Sequence, residues 1–107
     1  MGTLNHGQLE VEMDDQVLIH LETVIVNKFR RGEPFVLTWW DSGSPEGGGR
    51  RSLWLTPRHP VFFTYADGPA PALDDEWLRR LLSAANTPRG VVLTDEQRRP
   101  AEVRTRA

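Results

Sequence analysis

The sequence predicts an α+β domain, with a mainly antiparallel sheet of about five to six strands and two helices packed on one face. Three observations carry this. Two segments repeat apolar residues at helical spacing, each behind an aspartate suited to cap a helix. The stretches around them alternate apolar and polar residues as half-buried strands do, and turn-forming residues separate the two kinds of segment. The predicted element order is ββ-α-βββ-α-β.

Leu9, Val11 and Met13 alternate with Glu10 and Glu12, and with Thr3 and Leu4 across Asn5-His6-Gly7 they predict a short hairpin. Asp14 is placed as a helix N-cap, Asp15 in the positive first turn, and Met13 with Leu18 as a hydrophobic staple. Leu18, Leu21, Ile25 and Phe29, widened by Val17 and Val24, predict an amphipathic helix over 15–31, although the triplet Val24-Ile25-Val26 would suit a strand equally well. Lys28, Arg30 and Arg31 suit its C-terminal end, Gly32 its left-handed cap, and Pro34 blocks continuation. Phe35 to Trp40, Ser52 to Thr56 and Val61 to Tyr65 read as an antiparallel meander, with a flexible loop at 41–49 and a turn at 57–60. Asp74 then caps a second helix with the stripe Trp77, Leu78, Leu81, Leu82 and Ala85, and Leu73 with Leu78 forms its staple. A last short strand follows at 90–94. The domain is placed at residues 1–95. Residues 96–107, with Arg98, Arg99, Arg104 and Arg106 and Val103 as a lone apolar residue, are predicted to be a disordered tail.

With 107 residues, 38% hydrophobic and 26% charged, the chain suits one modest core and is too short for two domains. The lack of cysteine excludes a disulfide framework, a thiolate metal site and a thiol nucleophile. No apolar run approaches the roughly 20 residues that span a bilayer, and Met1 to His20 lacks a signal-peptide pattern, so a cytoplasmic location without membrane partners is expected. A net charge of −2 argues against a generic nucleic-acid coat. The charge is unevenly spread, however. Residues 1–27 carry acids and no Lys or Arg, whereas Arg50, Arg51 and Arg58 fall in a stretch without acids.

Strand alternation points Phe35, Leu37, Trp39, Leu53, Leu55, Val61, Phe63 and Tyr65 toward the helices. Val36, Thr38, Trp40, Ser52, Trp54, Thr56, Phe62 and Thr64 then share the face that the helices leave open. Three aromatics on an open sheet face are interface material, which makes Trp40, Trp54, Phe62, Thr38 and Thr56 the candidate binding residues. Arg50, Arg51 and Arg58 are candidate phosphate contacts, should the same aromatics stack on bases instead. His6, His20 and His59 have no paired ligand spacing, so no metal site is expected, and His20 reads as a surface or boundary residue. Glu10, Glu12, Asp14 and Asp15 lack calcium-loop spacing. Gly47-Gly48-Gly49-Arg50 leads into a strand where a phosphate-binding loop would lead into a helix. Ser42 and Ser44 have no nucleophile context.

Met1-Gly2-Thr3-Leu4, the helix from Asp14-Asp15 through Leu21-Glu22-Thr23-Val24-Ile25-Val26-Asn27-Lys28-Phe29-Arg30-Arg31-Gly32-Glu33, the strand Ser52-Leu53-Trp54-Leu55-Thr56-Pro57, and Trp77-Leu78 with Ser83-Ala84-Ala85-Asn86 resemble a family of small uncharacterised actinobacterial proteins. Its members often carry the name ATP-dependent DNA ligase, and the resemblance covers about residues 1–95. A ligase of that kind uses the lysine of a Lys-x-Asp-Gly motif to attack the α-phosphate of ATP. The only lysine of this chain, Lys28, precedes Phe29-Arg30-Arg31, so covalent AMP chemistry is not expected. The resemblance adds weight to a DNA-associated role and implies no site residues. The expectation is therefore a non-catalytic binding module without a cofactor, forming a homodimer or docking a protein through the open face. The alternative is a nucleic-acid-binding accessory that stacks bases on Trp54 and Trp40.

Overall fold

The computed structural model describes residues 1–42, 49–66 and 68–106. Its elements are β1 (Gly2–His6), β2 (Leu9–Met13), α1 (Asp15–Arg30), β3 (Phe35–Asp41), β4 (Gly49–Leu55), β5 (Phe62–Thr64), α2 (Asp75–Ala85), β6 (Val91–Val92) and β7 (Val103–Arg106). The architecture is α+β, as expected. Seven strands form one mixed sheet in the order β4-β3-β7-β2-β1-β5, with β6 beside β3, and both helices pack into the core on one face.

The helices begin and end where their local chemistry dictates. The Asp14 carboxylate accepts the Gln16 N–H at 2.9 Å, and that of Asp74 accepts the Trp77 N–H at 2.9 Å. Each satisfies a donor that no helical carbonyl can reach. At the end of α1, Gly32 takes φ +69°, its N–H bonds to the Phe29 carbonyl, and the Glu33 N–H bonds to that of Lys28. This paired closure satisfies carbonyls that would otherwise be orphaned.

Three expectations need correction. The meander does not form. β4 pairs with β3 from Phe35↔Leu55 to Asp41↔Gly49, but β5 pairs with β1 at the opposite edge of the sheet. The segment 56–61 is a crossover, and its length constrains the sheet. Leu55 lies level with the start of β3, whereas Phe62 pairs with Asn5, beyond the level of Asp41. Seven Cα steps reach at most about 25 Å, less than the diagonal across six flat strands, so the sheet coils around α1. Pro57, Pro60 and Val61 of the crossover line one groove with Ile25 and Phe29 of α1. The expected loop at 41–49 narrows as well, since Asp41 and Gly49 form the last rung of the β3–β4 ladder. Residues 43–48 lie outside the described residues.

The disordered tail is the second correction. Residues 103–106 form β7, the strand that joins β3 to β2. It pairs antiparallel with β2 over four residues and meets β3 in parallel at Asp41↔Val103. Ala101 and Val103 are buried, and the Trp39 indole N–H donates to the Thr105 hydroxyl at 2.9 Å.

The third correction concerns His20, which is fully buried and stacks on Trp77 with ring centroids 4.0 Å apart. Its Nε2 accepts the backbone N–H of Asp74 at 2.9 Å, so Nδ1 carries the proton and donates to the Gln16 carbonyl at 2.7 Å. The ring thereby ties the N-cap of α2 to the first turn of α1. Lys28 does the same at the other ends of the helices. With 5% of its surface exposed, it donates to Glu33 Oε1 at 3.0 Å and to the side-chain oxygen of Asn86, the C-cap of α2, at 2.8 Å. The Lys28 hydrogen bond holds the Glu33 carboxyl below its usual range.

Tyr65, just past β5, donates its hydroxyl to Glu22 of α1 at 2.8 Å. Burial, then this hydrogen bond and the charges of Glu22 and Asp15, push the phenol well above its ordinary range. A raised folded-state pKa favours the neutral phenol in the native state. Its stabilisation is complete below the unfolded value of about 10 and is lost as pH rises above it. Stability to urea should therefore fall from about pH 10 upward, and Tyr65→Phe should lack that part of the fall. Because Tyr65 is the only tyrosine, phenolate absorbance reports it alone. Ionisation near pH 10 in the folded chain would contradict the assignment.

Candidate functional site

The face turned away from the helices can be mapped from the ladder registers. At one edge, Trp54 stands opposite Val36, Ser52 opposite Thr38, and Arg50 opposite Trp40. Across β3, Val92 of β6 pairs with Thr38. In the middle, Arg104 faces Glu12 and Arg106 faces Glu10. Toward the far edge come Thr3 and Asn5 of β1, then Thr64 and Phe62 of β5. The face is thus a mosaic, with an apolar end on β4, β3 and β6 and a band of paired charges beside it.

The tryptophans lie where alternation placed them. Trp40 is 49% exposed and Trp54 58% exposed, and Val92 beside them is exposed as well. Four residues along the strands and one strand across separate the two indoles, about 14 Å. Between them Thr38 is buried, with its hydroxyl 2.9 Å from that of Ser52. That hydrogen bond satisfies both hydroxyls, and at 1% exposure Thr38, a candidate binding residue by alternation, offers no surface to a partner. Trp40 and Trp54 are the exposed candidates at this end of the face.

Phe62 and Thr56 do not join them. Phe62 is 69% exposed, but it belongs to β5, at the edge of the sheet farthest from β4. Thr56 lies beyond the end of β4 and caps the crossover turn, its carbonyl accepting the His59 N–H at 3.2 Å.

The three arginines also separate. Arg50 shares the face with Trp40. Arg51, one residue on, alternates to the other side, where its Nε donates to Asp41 Oδ2 at 2.7 Å. Asp41 is 2% exposed and also accepts the Thr105 N–H at 3.3 Å, so Arg51 serves the junction of β3, β4 and β7. Arg58 lies in the crossover. Of the candidate phosphate contacts, only Arg50 borders the indoles.

Val92 and the alternating Arg104 and Arg106 are face residues that sequence reasoning missed. The signal for the pair was present: two arginines two apart can face Glu10 and Glu12 across a ladder. His6 and His59, remote in sequence, meet edge to face with centroids 5.9 Å apart. Among the described residues, no three His, Cys, Asp or Glu side chains are grouped to hold a metal ion. Among the described residues, no helix is long and apolar enough to cross a membrane.

No curated protein and no solved structure matches the chain. Residues 1–96, from β1 through β6 and into the turn before β7, match the family described as Domain of unknown function (DUF7882), and the chain belongs to that family.

Proposed function

We propose that this chain is a non-catalytic binding module, acting in the cytoplasm, that pairs with a second copy of itself or docks another protein through the β4–β3 end of its open face. The observation that supports this reading is the pair of half-exposed indoles, Trp40 and Trp54, with Val36 and Val92 around them. Covering the exposed half of one tryptophan removes about 125 Å² from water, or about 3 kcal/mol. Two such anchors at one end of a sheet face suit a partner surface that covers both. A second copy presents the same geometry: in a two-fold contact, the Arg50 guanidinium of one copy can lie over an indole of the other. The alternative, stacking of single-stranded nucleic acid on the same indoles, keeps only Arg50 of its three phosphate contacts and has Glu10 and Glu12 on the same face.

Light scattering on the concentrated chain should give a dimer mass. Trp54→Ala should shift it to the monomer while the circular dichroism spectrum stays folded. A wild type that is monomeric at every concentration sinks self-pairing. Salt-sensitive binding of a single-stranded oligonucleotide, lost in Arg50→Ala, would put the nucleic-acid role in its place.

A further inference from the structure

Positive charge gathers in a cleft that meets the tryptophan patch at Val92 and is lined by neither indole. Between α2 and β6 lies a cleft of about 430 Å³, with Arg80, Arg89 and Arg98 on its walls and Leu81, Gly90 and Val92 among the residues lining the rest. Each arginine arrives from a different element. Arg80 projects from α2, and Arg89 precedes Gly90, which is held against β3. Arg98 lies in the turn before β7 at φ +67°, the one non-glycine residue with a positive φ among the described residues.

The charges do not balance locally. Glu76, largely exposed, lies 3.8 Å from Arg80 and 3.5 Å from Arg98, and Arg89 has no ion pair among the described residues. Three guanidinium groups against one carboxylate leave an excess of two positive charges over an apolar floor, where charge–charge attraction is stronger than in open water. The backbone adds a donor. The Leu93 N–H bonds to the Thr38 carbonyl on β3, so in this parallel ladder the N–H and C=O of Val92 point away from β3, to a side with no further strand.

We propose that this cleft binds a phosphomonoester dianion carried on a body with an apolar face. A phosphomonoester carries about −1.5 to −2 charges near neutrality, matching the local excess. Its three free oxygens can accept from three separate guanidinium forks, whereas the two oxygens of a carboxylate fill one. Guanidinium groups suit planar, two-pronged recognition of such oxygens. The volume falls within the roughly 300–1,000 Å³ of small-molecule sites, and Leu81 and Val92 supply apolar surface for the remainder of the ligand.

The test is a heteronuclear NMR titration of the ¹⁵N-labelled full chain with phenyl phosphate, inorganic phosphate and, as the uncharged control, phenol. Phenyl phosphate should shift the amides of Gly90, Val92 and Thr94 and the Nε–H of the three arginines saturably. Phenol should not. Arg89→Gln should weaken the binding at least tenfold, as should Arg98→Gly, which keeps the positive φ. Arg58→Gln, which removes the same charge from the crossover and not from the cleft, should bind as wild type does. Phenyl phosphate binding no tighter than inorganic phosphate would overturn the apolar-body half of the proposal. Shifts that never saturate, or that persist in Arg89→Gln, would overturn the site.

Discussion

Gly90→Ala is expected to lower the melting temperature by more than about 12 °C, because it offends both the backbone conformation and the packing. Gly90 has φ +70°, where an L side chain costs about 1 kcal/mol or more. The added Cβ would overlap the Val36 carbonyl oxygen and stand 2.8 Å from its carbon. Val36 belongs to β3, which is bonded on one side to β4 and on the other to β6 and β7, so the obstructing carbonyl cannot move without disturbing three ladders. Overpacking of this kind costs about 1–3 kcal/mol beyond the conformational term, a large part of a typical 5–15 kcal/mol total. Gly32→Ala is the internal control. At φ +69° and with nothing within 4 Å of its Cβ, it isolates the conformational cost and should lose about 4–8 °C. Equal losses in the two variants would show that the approach of Gly90 to β3 carries no weight.

Whatever depends on a few adjacent residues was legible in the sequence. Asp14, Asp74 and Gly32 announce the helix ends because a cap is satisfied by backbone groups two or three residues away. Alternation from Phe35 to Trp40 separates core from open face because a strand has a period of two. Partner choice was not legible. Val61 to Tyr65 reads as a strand in isolation, but only the coiling of the whole sheet brings it to β1 rather than β4. The proline-bracketed turn imitated a hairpin while serving as a crossover. His20 was misjudged for a related reason. It lies on the stripe of Val17, Leu21, Val24 and Ile25, and that position marks it as buried. Polarity alone argued against burial, and what reverses it is remote in sequence: the Asp74 N–H. Lys28 does stand in the last turn of α1, as its charge implied, but its partner Asn86 is equally remote. The candidate site was half legible on the same grounds. Alternation found Trp40 and Trp54, and the wrong strand partner brought Phe62 to them.

Ending the chain at Glu96, where the family match stops, should abolish the cooperative fold. β7 contributes little apolar mass but occupies the centre of the sheet, between β3 and β2. Its removal exposes the core around Val103 and Ala101, at about 1.5–3 kcal/mol for the valine alone. The Trp39 indole N–H loses the Thr105 hydroxyl, the Ser42 N–H loses the Val103 carbonyl 2.8 Å away, and Asp41 loses the Thr105 N–H. The buried Trp39 indole N–H, left unpaired, costs about 1–3 kcal/mol, whereas Ser42 is exposed and Asp41 keeps Arg51. Together with the four lost rungs of the β2–β7 ladder, these losses take a large part of the roughly 5–15 kcal/mol typical of a domain. They also leave β2 and β3 with raw edges facing each other across a gap, which invites aggregation. The expected result is loss of near-ultraviolet circular dichroism and of a sharp melting transition, with partial recovery when a peptide of residues 97–106 is added. A more local variant, Thr105→Val, keeps the strand and should cost about 1–3 kcal/mol through the orphaned indole N–H. A chain ending at Glu96 that melts as sharply and as high as wild type would mean that β3 and β2 close on each other directly, and that β7 is an addition to a sheet already complete without it.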